Sequence, residues 1–350
     1  MRTYIIPIFI PHYGCPHTCV FCNQQKITGR QTDVRPEFIR ETIERHLAGI
    51  TREYFIEVAF YGGSFTALDS AVQRELLLPA YSFVQSGQVH SLRLSTRPDC
   101  IDAAILEQLA ALGVQTIELG AQSFDDAVLD KAERGHKAAA IAAAAKKIQA
   151  CGFRLGIQLM PGLPGDSWRT IMHSLAETIK IKPDFVRIYP TLVLGGTKLG
   201  TAYGEGKYEP LSLEEAVRYA AVMKLLLQRD GIQVIRTGLQ SSENLDDGKT
   251  VLAGPYHPAF GEMVDSYLFY LMVAEVLEQL ETKDHTIIIH HAIKDSSRVR
   301  GNKNYNKKAW MAEFFLQDIR FAADMAEPGT LAIEQGAQLY RTNLAMLTHF

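Results

Sequence analysis

Three cysteines crowd into eight residues near the start of the chain. Cys15, Cys19 and Cys22 follow the spacing CxxxCxxC within Pro11-His12-Tyr13-Gly14-Cys15-Pro16-His17-Thr18-Cys19-Val20-Phe21-Cys22-Asn23. They come after an apolar run, Tyr4 to Ile10, that reads as a first strand, so the trio falls on a loop at its carboxyl end. Thiolates packed this tightly on irregular backbone can converge on one inorganic centre. A [4Fe–4S] cube held by three cysteines keeps one iron open, which suits binding and reducing a substrate rather than only passing electrons. The alternative is a zinc site with His12 or His17 as fourth ligand, but zinc knuckles usually come as two pairs well apart. The other cysteines, Cys100 and Cys151, are isolated. A disulfide is disfavoured, because an odd, tight trio suits no simple pairing.

The chain has 350 residues, 47% of them hydrophobic and 21% charged, enough for a large α/β barrel with or without a smaller appendage. A formal net charge of −3 gives no global attraction to nucleic acid or acidic membrane, so such a partner must meet a local patch. No apolar run approaches bilayer length, and Met1 to Ile10 lacks a small-residue cleavage site, so no membrane partner or signal peptide is expected. Sparse cysteines serving as thiolate ligands point to a reducing, cytoplasmic setting.

Strand-like runs alternate with segments of helical period. Phe55–Tyr61, Ser91–Thr96, Val114–Gly120, Phe153–Met160 and Asp184–Tyr189 read as strands; Pro36–Ala48, Ser70–Val84, Ile101–Leu112, Lys137–Cys151 and Ser167–Lys180 read as helices. This alternation predicts a parallel sheet with helices outside it. With the first strand the count is six, which fits a partial (β/α)6 barrel; periodicity alone does not separate that from a doubly wound sheet. In both, ligands gather at the carboxyl ends of the strands. The polar motifs fall there: Gly62-Gly63-Ser64-Phe65-Thr66, Thr96-Arg97-Pro98-Asp99, Gln122-Ser123, Arg134-Gly135-His136, Met160-Pro161-Gly162-Leu163-Pro164 and Tyr189-Pro190-Thr191-Leu192-Val193. Singly each is weak, since paired glycines serve ordinary turns and Arg134 suits a solvated helix end. Their shared position after successive strands favours a site.

The cysteine spacing, with Phe21 before the last cysteine, resembles the radical S-adenosylmethionine (SAM) superfamily. The full motif set, in this order from Tyr4 to Leu239, resembles the radical-SAM domain of the Elongator catalytic-subunit family. The resemblance implies a radical-SAM barrel over residues 1–239, with a [4Fe–4S] cluster on Cys15, Cys19 and Cys22. It implies SAM beside the backbone of Gly62 and Gly63, with Gln122 and Arg134 along ribose and carboxylate and Met160 bordering the adenine. Ser95 stands where that family usually has Glu. Only fourteen residues precede Cys15 and about 110 follow the barrel. The family's basic amino-terminal extension and acetyltransferase domain, and acetyl transfer to wobble uridine, are therefore not expected.

Residues 240–350 read as a small C-terminal α/β accessory domain: a loop over 251–258, a long helix over 260–280, a strand over 286–290 and a helix from about Asn306. Lys294–Lys308 carries six basic residues against Asp295, a net +5. With Tyr305 among the cations it suits RNA, although charge runs usually mean only a solvated face. His257, His290 and His291 are candidates for a second metal, but paired histidines at a strand end are more often structural. The expected function is a radical-SAM enzyme that cleaves SAM and abstracts hydrogen from a substrate, with tRNA or another RNA as partner and a flavodoxin or ferredoxin as electron donor. Arg187 and Tyr189 are placed to face the substrate, and no catalytic side chain is assigned. Two alternatives are a coproporphyrinogen-oxidase-like enzyme acting on a small molecule, whose usual fourth cysteine position holds Gln24, and a non-catalytic RNA-binding metal protein.

Overall fold

The structure is a computed structural model that describes residues 2–10, 15, 17–23, 34–241, 243–246, 248–282 and 285–348. His12 and Gln24 lie outside the described residues. The chain divides into two compact units, residues 1–212 with 232–258 and residues 213–231 with 259–350.

The first unit holds one sheet of seven strands: β1 (Thr3–Phe9), β2 (Phe55–Tyr61), β3 (Ser91–Thr96), β4 (Val114–Gln122), β5 (Arg154–Leu159), β6 (Phe185–Ile188) and β7 (Gln233–Thr237). All neighbours are parallel, and spatial order equals sequence order. A doubly wound sheet reverses its order at a switch point; this one does not. Right-handed crossovers in one direction deliver every helix to the same face, so the sheet curls into a partial barrel with an inner lumen. The helices are α1 (Pro36–Ala48), α2 (Ser70–Gln85), α3 (Ala103–Ala111), α4 (Asp126–Lys131), α5 (Ala138–Ala150), α6 (Trp168–Ile181) and α7 (Lys198–Gly204). Their starts carry the expected chemistry. Pro36 opens α1, the Asp102 carboxylate accepts the Ile105 amide hydrogen, Asp125 caps α4, and Ser167 with Thr170 forms a capping box on α6.

The partial-barrel expectation holds in class, with a seventh strand added. Strand β7 escaped the periodicity reading because only Val234 and Ile235 of its five residues are apolar. The boundary at 239/240 needs correction as well. The chain leaves the barrel unit after Ser212 for α8 (Leu213–Arg229) and returns for β7. A short antiparallel ribbon pairs Val193–Leu194 with Val251–Ala253, in the segment expected to be all loop.

In the second unit α8 joins α9 (Phe260–Leu277), where Lys224 pairs with Asp265. The remaining elements are β8 (Thr286–Ala292), α10 (Ser296–Arg300), α11 (Tyr305–Glu313), β9 (Asp318–Met325), β10 (Thr330–Gln335) and β11 (Gln338–Asn343). Their sheet runs β9-β8-β10-β11, with β8 and β9 parallel and the other pairs antiparallel. Its core gathers Phe269, Met272, Ile287, Ile289, Trp310 and Leu331, with Trp310 stacked on Tyr270 at 5.9 Å. Both His290 and His291 are structural. Carboxylates of Asp324 and Glu334 hold the His290 ring at 2.9 and 3.0 Å, and His291 is buried beside Phe321. No helix among the described residues is long and apolar enough to cross a membrane.

Strand β5 is pressed between its neighbours at Gly156, where an added Cβ would run into the Phe185 ring and approach Glu118 Cγ to 3.1 Å. Gly156→Ala should therefore destabilise the barrel unit by about 1–3 kcal/mol in urea unfolding, with partial relief from Phe185→Leu. An unchanged midpoint would contradict the packing.

Candidate active site

The cysteine loop is seated on the segment that follows α4. Val20 N–H donates to Ala132 O at 3.2 Å and Leu199 N–H donates to Val20 O at 2.8 Å. Val20 packs among Val128, Ala132, Leu163 and Leu199. Within the loop Cys22 N–H donates to Cys19 O at 3.1 Å. Arg134, only 5% exposed, is no solvated helix residue. Its Nη1 donates to Cys19 Sγ at 3.1 Å and its Nη2 to Gly120 O at 2.6 Å, while its own carbonyl accepts from Arg97 Nη2. Gly135 has φ of +72°, and the space a Cβ would need is filled by the His17 ring. Glycine is required there on both counts. Burial pushes the neighbouring His136 imidazole down to about 4, aided by Arg134, so the ring stays neutral at ordinary pH.

Cys15 faces the turn after β2. Burial, together with Cys19, pushes its thiol up, while Arg97, the Ser64 backbone amide and Arg134 oppose the rise. That turn is pinned: Ser64 Oγ accepts from the Arg97 amide at 3.2 Å and shares a hydrogen bond with Thr96 Oγ1 at 3.1 Å. Gly62 sits at φ +95°, in the region that favours glycine. Arg97 is clamped by Asp99 at 3.0 and 2.8 Å. Burial and the neighbouring Asp99 push the Cys100 thiol up, while Arg97 and Ser64 oppose the rise.

Gln122, also at positive φ (71°), ends β4 at a bulge, and its carbonyl accepts from the Met160 amide at 2.8 Å. A Cβ at Gly120 would lie 3.0 Å from Gln122 Nε2 and 3.4 Å from Arg134 Nη2. The structure thus brings Gln122, Arg134 and Met160 together with Cys19, and Gly62-Gly63 with Cys15 through Ser64. It does not draw the three cysteines into ligating contact: among the described residues no group of three His, Cys, Asp or Glu is gathered for a metal. The surroundings nevertheless fit an anionic sulfur cluster and a polar cofactor. Two guanidinium groups face the thiols, and Gln122 Oε1, Arg134 Nε and Arg97 Nη1 are buried without a hydrogen-bond partner among the described residues. A buried unmatched polar atom costs about 1–3 kcal/mol, which a bound polar molecule relieves.

Inside the lumen lies a polar network that the sequence reading named only in part. Fully buried Glu118 on β4 accepts from Arg187 Nε at 2.7 Å, Arg187 Nη2 at 3.1 Å, Tyr61 Oη at 3.1 Å and Gln158 Nε2 at 3.2 Å. Arg93 approaches Glu118 at 3.5 Å and Glu57 at 3.3 Å. Gln158 also donates to Ser95 Oγ at 3.3 Å. Burial pushes both phenols, Tyr61 and Tyr189, up, so they stay protonated as donors. Glu57, Arg93 and Glu118 were not singled out as site residues. Their signal was a charge inside each apolar parallel strand, where both faces are covered.

Comparison with known proteins agrees with this geometry. Residues 9–177 match the Radical SAM superfamily and residues 183–269 the Radical_SAM C-terminal domain. An uncharacterized protein of Methanocaldococcus jannaschii is 30% identical over 226 residues, 60% of this chain and 67% of that protein. The tRNA uridine(34) acetyltransferase of the same archaeon is 28% identical over 194 residues, half of this chain (50%) but only 36% of its own length. The solved archaeal Methanocaldococcus infernus Elp3 with an N-terminal deletion aligns with a TM-score of 0.61 at 22% identity, covering 76% of this chain and 62% of that one. The chain belongs to the radical SAM superfamily. It is a radical SAM enzyme, of a family that uses a [4Fe–4S] cluster and S-adenosylmethionine.

If the Arg134–His136 turn seats the cysteine loop, Gly135→Ala should lose most of its iron after anaerobic reconstitution while remaining folded by circular dichroism. Combining it with His17→Ala should restore part of the iron, since the ring is what the new Cβ meets. Full iron in Gly135→Ala alone would remove the turn from cluster assembly.

Proposed function

We propose that this radical SAM enzyme modifies an RNA, most simply a tRNA, whose backbone is held by the basic segment of the second unit. One observation carries the reading. Within that segment Lys294, Lys303 and Lys308 are exposed and have no ion-pair partner among the described residues. The other cations are engaged: Arg298 with Glu262 at 3.0 Å, Lys307 with Asp318 at 2.9 Å, and Arg300 over the Phe321 ring at 4.1 Å. The lysines sit on a built frame rather than a solvated loop. Asn306, buried, donates to Ser266 O at 2.9 Å and Val299 O at 3.1 Å, and Tyr305 beside it is 62% exposed, available for stacking. The name of the tRNA uridine(34) relative supports the same substrate class, for a protein of which this chain spans little more than a third (36%).

In the barrel unit, Cys15, Cys19 and Cys22 would hold the cluster, and Arg134 would donate to the Cys19 sulfur. Gly62 and Gly63 would offer backbone groups to the amino end of SAM. Gln122 Oε1 and Arg134 Nε, the unmatched atoms, would meet its polar groups, with Met160 against the adenine. Bound there, the cluster supplies the electron that cleaves SAM and yields a radical able to take hydrogen from the substrate. The paired charges of Glu118 and Arg187 hold the lumen side chains in place beneath that radical.

Binding through several phosphates falls steeply with salt. Changing Lys294, Lys303 and Lys308 together to Ala should flatten the slope of log affinity for tRNA against log salt by about two to three units in filter binding. Lys307→Ala should change it less, because Lys307 is paired. No tRNA binding at low salt, or an unaltered slope in the triple variant, would defeat the RNA reading.

A further inference from the structure

The lumen network does not balance its charge. Glu57 and Glu118 face Arg93 and Arg187, but a third cation, Arg236, comes from β7 and has no hydrogen bond or ion pair among the described residues. Its placement is the work of a bulge. Val186 on β6 pairs with Val234, whereas the next residue, Arg187, pairs with Arg236, so Ile235 is the extra residue. Without it Arg187 would stand opposite Ile235. Bulges re-aim side chains, and here the result is two arginines side by side on neighbouring strands. Arg236 is half-buried, and its charge acts on the Tyr189 phenol, which places it by the same end of the lumen.

The donors of this corner can be counted. Arg187 spends Nε and Nη2 on Glu118 and Tyr61, and Nη1 donates one hydrogen to Tyr189 Oη at 3.2 Å. A guanidinium has five N–H hydrogens, so one on Nη1 remains. The Tyr61 hydroxyl spends its one hydrogen on Glu118 and accepts from Arg187 at 3.0 Å, so it has no donor to spare. The Tyr189 hydroxyl only accepts, and its own hydrogen has no acceptor among the described residues. Two free donors 3.2 Å apart therefore lie near an uncompensated cation, just past the carboxyl end of β6.

We propose that Arg236, Tyr189 and the spare Nη1 hydrogen of Arg187 form a subsite for an anionic oxygen group of the substrate, a phosphate or a carboxylate. This rests on reading the barrel mouth as the substrate site, but not on the substrate being RNA. The subsite is separate from the groups facing the cofactor: no hydrogen bond among the described residues joins it to Gln122 or Arg134.

Two probes test it on the full chain, inorganic phosphate by 31P line broadening and [1-13C]acetate by 13C broadening, with SAM affinity measured by equilibrium dialysis. The wild-type protein should bind at least one anion, and the preferred one separates a phosphate from a carboxylate substrate. Arg236→Gln should weaken that binding about tenfold or more, Arg236→Lys should retain most of it, and SAM affinity should not change. Tyr189→Phe, which removes one donor and almost no bulk, should weaken anion binding severalfold and serves if Arg236→Gln fails to fold. The triple lysine variant should bind the anion as wild type does, so failure of the RNA reading is distinguishable. The proposal is overturned if wild type binds neither anion, if Arg236→Gln and Tyr189→Phe bind as wild type does, or if Arg236→Gln weakens SAM instead.

Discussion

The Arg134 guanidinium holds the barrel mouth together. It is buried, donates to Cys19 Sγ on the cysteine loop and to Gly120 O at the end of β4, and through its carbonyl receives Arg97 from the end of β3. One residue thus ties the ligand loop to two strand ends, through its guanidinium to β4 and through its backbone carbonyl to Arg97 after β3. It also places positive charge beside sulfur, where a thiolate-bound cluster carries net negative charge. Rigid support of this kind, from strand ends rather than from the loop itself, is what a site on irregular backbone needs. The glycine beside Arg134 and the ring of His17 complete the seat by shape.

The lumen answers a different demand. Parallel strands covered on both faces are ordinarily apolar, yet β2, β3, β4 and β6 each contribute an ionised side chain to the interior. Two charges buried without partners would each cost several kcal/mol; paired, they hold each other and fix the rotamers around them. Glu118 is the hub, with both oxygens taken, so it orients Arg187 and Tyr61 and has no oxygen left over for acid–base work. Among the described residues the network leaves Arg93 Nε without a hydrogen bond on β3, and its unpaired cation, Arg236, at the corner between β6 and β7.

Much of this was legible in the chain. The six expected strands appear within a residue or two of their predicted limits, because six-to-eight-residue runs rich in Ile, Val, Leu and Phe have few other uses between helices of 3.6-residue period. That the polar motifs share one end of the sheet was legible from their place after successive strands, whereas the contact of Arg134 with Cys19 was not. Strand β7 was not, since Gln233-Val234-Ile235-Arg236-Thr237 lacks the apolar signal, and its bulge can be seen only in the register. Nor was the departure of α8 to the second unit, which depends on tertiary packing against α9 that no local pattern encodes.

The account turns on Cys15, Cys19 and Cys22 being one ligand set at this mouth. The direct measurement is iron content and 5′-deoxyadenosine release from SAM after anaerobic reconstitution and reduction, in wild type and in Cys19→Ala. A filled cluster with release in wild type, and loss of both in the variant, is the predicted result. Stoichiometric zinc without iron in wild type, or undiminished release from Cys19→Ala, would contradict it.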